Sequence, residues 1–171
     1  FTDLASRVDP DVLQGIIRKY EDTCAACITR FDGYVFQRLG DGIVAYFGFP
    51  LVHEAEAERA IHAGLAIIDA FSKFEIPEMG NIRVRIGIAT GLVVISTAQK
   101  SASGETMNLA ARLQQIAPVG NIVVSESTHL LAGGQFVYED LGAQALKGFS
   151  RLAGAYRVRS VRETSSRFDA T

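Results

Sequence analysis

Apolar residues recur at three- and four-residue steps along the first part of the chain, the spacing of one face of an α-helix. Asp9 and Pro10 open this pattern with a capping side chain and a first-turn proline, and Asp32-Gly33 ends it. We therefore predict an amphipathic helix. Its apolar face consists of Val12, Leu13, Ile16, Ile17, Tyr20, Cys24, Cys27, Ile28 and Phe31.

A hairpin pattern and a second helical pattern follow. Residues 34–39 and 43–47 are strand-like and flank Gly40-Asp41-Gly42, which predicts a β-hairpin. Residues 53–74 again repeat apolar side chains at helical spacing and predict a second helix. Its expected core stripe is Ala57, Ala60, Ile61, Gly64, Leu65, Ile68 and Phe71.

The second half of the chain alternates between strand and helix patterns. Residues 82–88 alternate strictly and predict a strand, which residues 92–95 follow with another. Small polar residues over 96–104 predict a loop or a mobile arm. The later expected elements are a helix from residue 105 that stops at Pro118, a strand over 122–124, a short helix capped by Ser125, and strands over 136–141, 143–146 and 155–158.

This order of elements predicts the fold class. Strand, helix, strand, strand, helix, strand is the order of an α+β, ferredoxin-like βαββαβ sandwich, provided that one strand precedes Phe1. We expect one domain over residues 1–158 and a polar linker or tail over 159–171. Because the chain starts at Phe1 without a methionine, we expect it to be a piece of a longer protein.

Composition narrows the function classes. The 171 residues are 48% hydrophobic and 21% charged, which argues for a globular domain rather than a disordered one. A formal charge of −2 gives no reason to expect a nucleic-acid partner. No apolar run reaches the ~18 residues of a membrane span, and no export signal is seen, so we expect a cytoplasmic protein without a membrane partner.

The two cysteines, Cys24 and Cys27, have the C-x-x-C spacing of redox motifs and half zinc sites. Both fall inside the first helical pattern, and no second Cys or His pair stands at ligand spacing. We interpret them as small buried or half-buried packing residues.

Four places in the sequence suggest chemistry. Asp41 between two glycines can present a carboxylate to a hard cation, although Asp-Gly is also a common plain turn. Asn108 and Arg112 stand one helical turn apart and can orient a hydroxyl and stabilise a phosphoryl oxygen, or form an ordinary polar face. Lys147 beside a glycine and Arg85 within a strand suit phosphate groups, although Lys147 alone is also a typical solvated residue.

The order and flanks of these residues resemble the catalytic domain of class III nucleotide cyclases. The resemblance covers nearly all of residues 1–158, and the bacterial cyclases followed by AAA-type ATPase and helical repeat regions are the most similar. The matching segments are Phe1-Thr2 with Leu4, Gly40-Asp41-Gly42, Phe47-Gly48, His53-Glu54 with residues 57–60, residues 85–91, residues 104–113, Val124-Ser125 and residues 146–149.

The resemblance implies a head-to-tail homodimer with nucleoside triphosphate sites at the interface. It implies two Mg²⁺ or Mn²⁺ ions per site, which sit on two aspartates, Asp41 and one that would precede Phe1. By the same resemblance Asn108 orients the ribose, Arg112 stabilises the transition state, and Arg85 and Lys147 bind the triphosphate. The implied reaction is attack of the ribose 3′-oxygen on the α-phosphorus, with loss of pyrophosphate.

Two positions that select the base in this family depart from its usual pattern. Gln37 stands where a lysine is usual, and Ser101 stands where an aspartate or threonine is usual. We expect ATP as substrate, because guanine-selecting members tend to carry Glu and Cys at these positions. A guanylate or promiscuous purine cyclase and a weak nucleotide-sensing dimerisation module are the alternatives. We also expect C-terminal regulatory domains. The segment between Thr90 and Asn108 is shorter than the β-hairpin arm of this family, either because the arm is truncated or because some flexible residues are missing from the sequence.

Overall fold

The computed structural model of the chain describes residues 2–39, 42–77, 80–99 and 101–163. The chain forms two compact units, Phe1–Arg83 and Val84–Thr171. Both combine helices with strands, and the predicted α+β class is confirmed. No helix in these described stretches is long and apolar enough to cross a bilayer.

The first unit is built mainly from two helices and a hairpin. Asp9 caps the longer helix by accepting a hydrogen bond from the backbone of Asp11 at 3.0 Å, as its position before Pro10 predicts. The elements are α1 (Thr2–Ala5), α2 (Pro10–Arg30), β1 (Tyr34–Arg38), β2 (Ile43–Tyr46), α3 (Glu56–Ser72), β3 (Glu75–Ile76) and β4 (Gly80–Asn81).

The cysteines lie on α2 and serve packing. Cys24 is buried, Cys27 is half-buried, and both are free thiols. Burial raises the pKa of Cys24 to about 12, so the thiol stays protonated and unreactive at neutral pH. The interpretation of these residues as packing residues is confirmed.

The second helix begins later than its pattern predicts. Its first helical residue is Glu56 rather than His53, because Ala55 takes a left-handed conformation with φ of 56°. The Glu56 carboxylate accepts a hydrogen bond from the His53 backbone at 2.8 Å, which links the first turn of α3 to the residues before it. The buried stripe is also rotated, since Ile67 is buried where the pattern favoured Leu65 and Ile68.

The second unit centres on a four-stranded sheet with the order β5-β8-β10-β9. β5 runs parallel to β8, and the other neighbours are antiparallel. The elements are β5 (Ile86–Ile88), β6 (Val94–Ser96), β7 (Ser101–Ser103), α4 (Glu105–Ile116), β8 (Ile122–Ser125), α5 (Glu126–Ala132), a 3₁₀ turn (Gly133–Gln135), β9 (Phe136–Gln144) and β10 (Ala153–Val161).

Several strand boundaries differ from the predicted ones. Only Ile86–Ile88 of the alternating run pairs with β8, so the strand predicted over 82–88 is shorter. The predicted polar arm contains β7, which pairs with β6. The two strands predicted around Gly142 form one strand, because β10 pairs with both halves. β10 itself continues to Val161, three residues into the predicted tail.

Candidate active site

The helix that carries Asn108 and Arg112 packs directly on strand β5. A Cβ atom at Gly87 would stand 2.2 Å from the Ala110 carbonyl oxygen and 2.5 Å from the Gln114 nitrogen. Only a glycine therefore permits the backbone of α4 to lie this close to the strand. This contact fixes where α4 presents its outer face.

The outer face of α4 holds a short row of polar side chains. Asn108 is exposed, Arg112 is half-buried, and the two stand one turn apart. Arg112 Nη1 donates to the side-chain oxygen of Gln115 at 2.9 Å. The structure thus brings Asn108, Arg112 and Gln115 onto one side of the helix, as steps of four and three residues require.

Arg85 reaches the C-terminal end of the same helix. Its Nη1 donates to the backbone oxygen of Gln115 at 3.4 Å, which is longer than the usual ~2.7–3.2 Å and marks a weak bond. The carbonyl of Gln115 is one of the last four of α4, which have no partner inside the helix. A guanidinium at this end also suits the negative end of the helix dipole.

Lys147 stands on a tight turn after β9. The backbone of Phe149 donates to the Leu146 oxygen at 3.1 Å, and Gly148 has a φ of +89°, as the third position of a type II turn requires. Lys147 is exposed at the turn's second position. Leu146 anchors the turn in a core cluster that also contains Leu113 of α4. The cluster comprises Leu113, Ala117, Val123, Leu146 and Ala155.

The two positions expected to select the base lie in different units. Gln37 is exposed on β1 opposite Val44, beside a register shift between Val35 and Gln37. Ser101 is exposed at the start of β7, where it pairs with Ser96. Their role in selecting a base stays a prediction.

The proposed metal ligand, Asp41, lies outside the described residues. On either side of that position, the backbone of Leu39 donates to the Gly42 oxygen at 2.7 Å. Within residues 2–39, 42–77, 80–99 and 101–163, no group of three or more His, Cys, Asp or Glu side chains is arranged to hold a metal. The metal assignment therefore depends on Asp41 and on the resemblance.

The hydroxyl group of Thr128 lies within hydrogen-bond distance of those of Ser125 and Thr90, and Thr90 comes just after β5, the strand that contains Gly87. Thr128 is fully buried, and its Oγ1 lies 2.7 Å from Thr90 Oγ1 and 3.0 Å from Ser125 Oγ. Ser125 also caps α5 by accepting from the Thr128 backbone at 3.2 Å. Sequence reasoning found the cap but missed the link from Thr128 to Thr90, because that link joins residues 38 positions apart.

Gln115 was also missed by sequence reasoning. The available signal was its spacing, since Asn108, Arg112 and Gln115 fall at i, i+4 and i+7 of one predicted helix. A polar residue at such a position is common on solvated faces, so the spacing alone did not single it out.

Comparison with known families gives a match over most of the chain. The profile of the "Adenylate and Guanylate cyclase catalytic domain" family matches residues 1–159. Arg85, Asn108, Arg112 and Lys147 all lie within the matched range, as does Asp41.

Individual relatives include cyclases of both types. The chain is 30% identical over 92% of its length to an uncharacterised protein of Rhizobium meliloti, and 26% identical over 92% of its length to adenylate cyclase 1 of the same organism. It spans only 16% and 26% of these two relatives. The crystal structure of a guanylate cyclase domain from Catenaria anguillulae in complex with GTP superposes with a TM-score of 0.82, at 25% identity, covering 94% of this chain and 91% of that one.

Proposed function

The chain belongs to the adenylate and guanylate cyclase catalytic domain family, and on that basis we propose that it converts ATP to 3′,5′-cyclic AMP and pyrophosphate. The observation that carries this proposal is the polar row on α4, which presents an amide and a guanidinium from a helix seated directly on β5. Such a pair suits a reaction in which charge develops on a phosphoryl oxygen.

In this proposal four side chains of the second unit have separate roles in binding and reaction. Asn108 orients the ribose, so that its 3′-oxygen faces the α-phosphorus in line with the leaving pyrophosphate. Arg112 stabilises the charge that develops on the α-phosphate oxygens as the new bond forms. Arg85 and Lys147 bind the β- and γ-phosphates, one as a planar fork and one as a point charge.

The proposed cofactor is Mg²⁺ or Mn²⁺, two ions per site. Of its ligands the chain supplies Asp41, whose carboxylate oxygens are the donors that such hard cations prefer. A second aspartate, expected upstream of Phe1, would complete the pair. When bound, the ions supply positive charge at the phosphates and acidify the ribose hydroxyl.

The choice of ATP depends on Gln37 and Ser101. A glutamine amide both donates and accepts hydrogen bonds, so Gln37 suits either purine edge. Because Gln37 is exposed on its strand and its amide suits both purines, a guanylate or promiscuous purine cyclase is the second candidate function. ATP is favoured because the Glu and Cys typical of guanine selection are absent at these two positions.

The whole protein is proposed to be larger and dimeric. The chain spans 16% and 26% of the two relatives from Rhizobium meliloti, which leaves room for further domains. We propose a cytoplasmic head-to-tail homodimer in which Asn108 and Arg112 of each chain serve the site of the other. We also propose C-terminal regulatory regions of the AAA-type ATPase and helical repeat kind.

The test uses the chain together with the residues that precede Phe1 in its full-length protein. It is incubated with ATP or GTP and with Mg²⁺ or Mn²⁺, and the products are separated by chromatography. Cyclic AMP that is lost in Asp41→Ala and kept in Asp22→Ala, a control at an exposed acid on α2, would support the proposal. Cyclic GMP would instead support the second candidate. A dimer that binds nucleotide without cyclising it would support a sensing module.

A further inference from the structure

The residue Gln115 stands out because it contacts two of the proposed phosphate-binding arginines. Its side-chain oxygen accepts from Arg112 at 2.9 Å, and its backbone oxygen accepts from Arg85 at 3.4 Å. The first contact is of ordinary hydrogen-bond length and the second is weak. The side chain of Gln115 therefore acts chiefly on Arg112.

The partners of other arginines provide a comparison for this contact. In the described part of the chain, four other arginines pair with carboxylates, which place a negative charge beside the guanidinium. Among the described residues, Arg112 and Arg85 are instead hydrogen-bonded to neutral oxygens, which place no negative charge beside the guanidinium. The carboxylate-paired arginines are Arg38, Arg59, Arg157 and Arg159.

We propose that Gln115 is a positioning residue that holds the Arg112 guanidinium in its working orientation without neutralising it. The inference rests on the proposed function, because Arg112 needs a phosphate to act upon. A guanidinium has five donors, and one bond to Gln115 leaves the others free for an α-phosphate oxygen. A side chain ordered in advance also loses less freedom when the transition state forms.

The substitution Gln115→Met tests this role selectively. Methionine matches glutamine in length and in helix propensity but lacks a strong acceptor. The bond from Arg85 goes to the backbone of residue 115 and survives the change. We expect kcat to fall about five- to tenfold, with KM for ATP within about twofold, since the lost bond orients a group that acts in the transition state. Gln14→Met, at an exposed glutamine of α2, is the matched control and should leave both constants unchanged.

A double-mutant cycle with Arg112→Ala separates positioning from a general structural effect. If Gln115 acts through Arg112, then Gln115→Met should change the residual rate of the Arg112→Ala protein by less than about twofold. An equal loss in both backgrounds would show a structural role and overturn the inference, as would an unchanged kcat in an active wild-type background. An inactive wild-type protein that folds and dimerises would overturn the proposed function itself, which is a different result.

Discussion

The two compact units present their candidate residues in different ways. In the first unit Gln37 lies on a two-stranded hairpin with a register shift, exposed on its strand. In the second unit Arg112 lies on a helix whose backbone touches a strand of a four-stranded sheet at Gly87. The second arrangement is set by contact between backbones, whereas a Cβ atom at Gly33, just before the hairpin, would meet side chains of Phe47 and Ile28. We therefore expect changes in the second unit to be the more costly for both activity and stability.

The largest expected effect comes from removing Arg112. Arg112→Ala should lower turnover at least about 100-fold, because in the proposed mechanism it removes a charged donor from the developing phosphoryl charge. Stability should stay within about 1 kcal/mol, since Arg112 is half-buried and its described side-chain partner is the exposed Gln115. Steady-state kinetics and urea unfolding measure the two quantities. Arg18→Ala on α2 is the matched control, and a turnover near that of wild type in Arg112→Ala would remove this residue from the mechanism.

The next effect compares one glycine from each unit. Gly87→Ala would place a methyl group 2.2 Å from the Ala110 backbone oxygen, so we expect a loss of about 3 kcal/mol in the free energy of unfolding. Gly33→Ala would meet the ring end of Phe47 at 2.6 Å and a methyl group of Ile28 at 2.7 Å, and both side chains can shift. We expect about 1 kcal/mol there.

Urea unfolding of both glycine variants sharpens the comparison. Gly15→Ala on α2 serves as a control, because nothing lies within 4 Å of its added Cβ and alanine favours a helix. It should be neutral or slightly stabilising. Equal losses in Gly87→Ala and Gly33→Ala would contradict the view that backbone contacts make the second unit stiffer.

Local patterns in the sequence were sufficient to predict the type of many of the helices and strands. The cap at Asp9 and the cap at Ser125 each depend on residues two or three positions away, and both occur as predicted. The helix predicted from residue 105 is α4, and the two strands predicted for the hairpin pair as β1 and β2. The types of these elements follow from short-range physics, so a single sequence reveals them.

The features that sequence reasoning missed depend on distant partners. Ser101–Ser103 is polar and small, and it becomes a strand only because Val94–Ser96 pairs with it. Residues 82–85 alternate like a strand but have no ladder, because β8 pairs only from Ile86 onward. The resemblance suggested the candidate site residues, and their roles stay predictions. The contact between Arg112 and Gln115 depends on side-chain geometry within α4.

A smaller effect compares one threonine from each unit. Thr128→Val removes a buried hydroxyl that lies within hydrogen-bond distance of both Thr90 and Ser125. We expect a loss of about 1–2 kcal/mol, because Thr90 is left without that partner. Thr23→Val on α2 removes a hydroxyl whose hydrogen bond among the described residues goes back to the Lys19 carbonyl at 2.7 Å. This change should alter stability by less than about 0.5 kcal/mol. Thermal unfolding of the two variants measures the difference in stability loss. Similar losses would show that the buried hydroxyl of Thr128 stabilises the fold no more than the hydroxyl of Thr23 does.

The smallest expected effect is a pH dependence confined to the first unit, which contains both cysteines. Burial raises the pKa of Cys24 from 9.0 to about 12, so the folded protein keeps a proton that the unfolded chain releases. Stability from this source is complete below pH 9 and is lost as the pH rises toward 12. Urea unfolding should therefore show wild type losing about 1 kcal/mol relative to Cys24→Ala between pH 8 and pH 10. Cys27→Ala, at the half-buried thiol, is the control and should retain most of the wild-type dependence of unfolding free energy on pH. If wild type and Cys24→Ala instead gave parallel curves of unfolding free energy against pH, Cys24 would not be shielded from water in the folded unit.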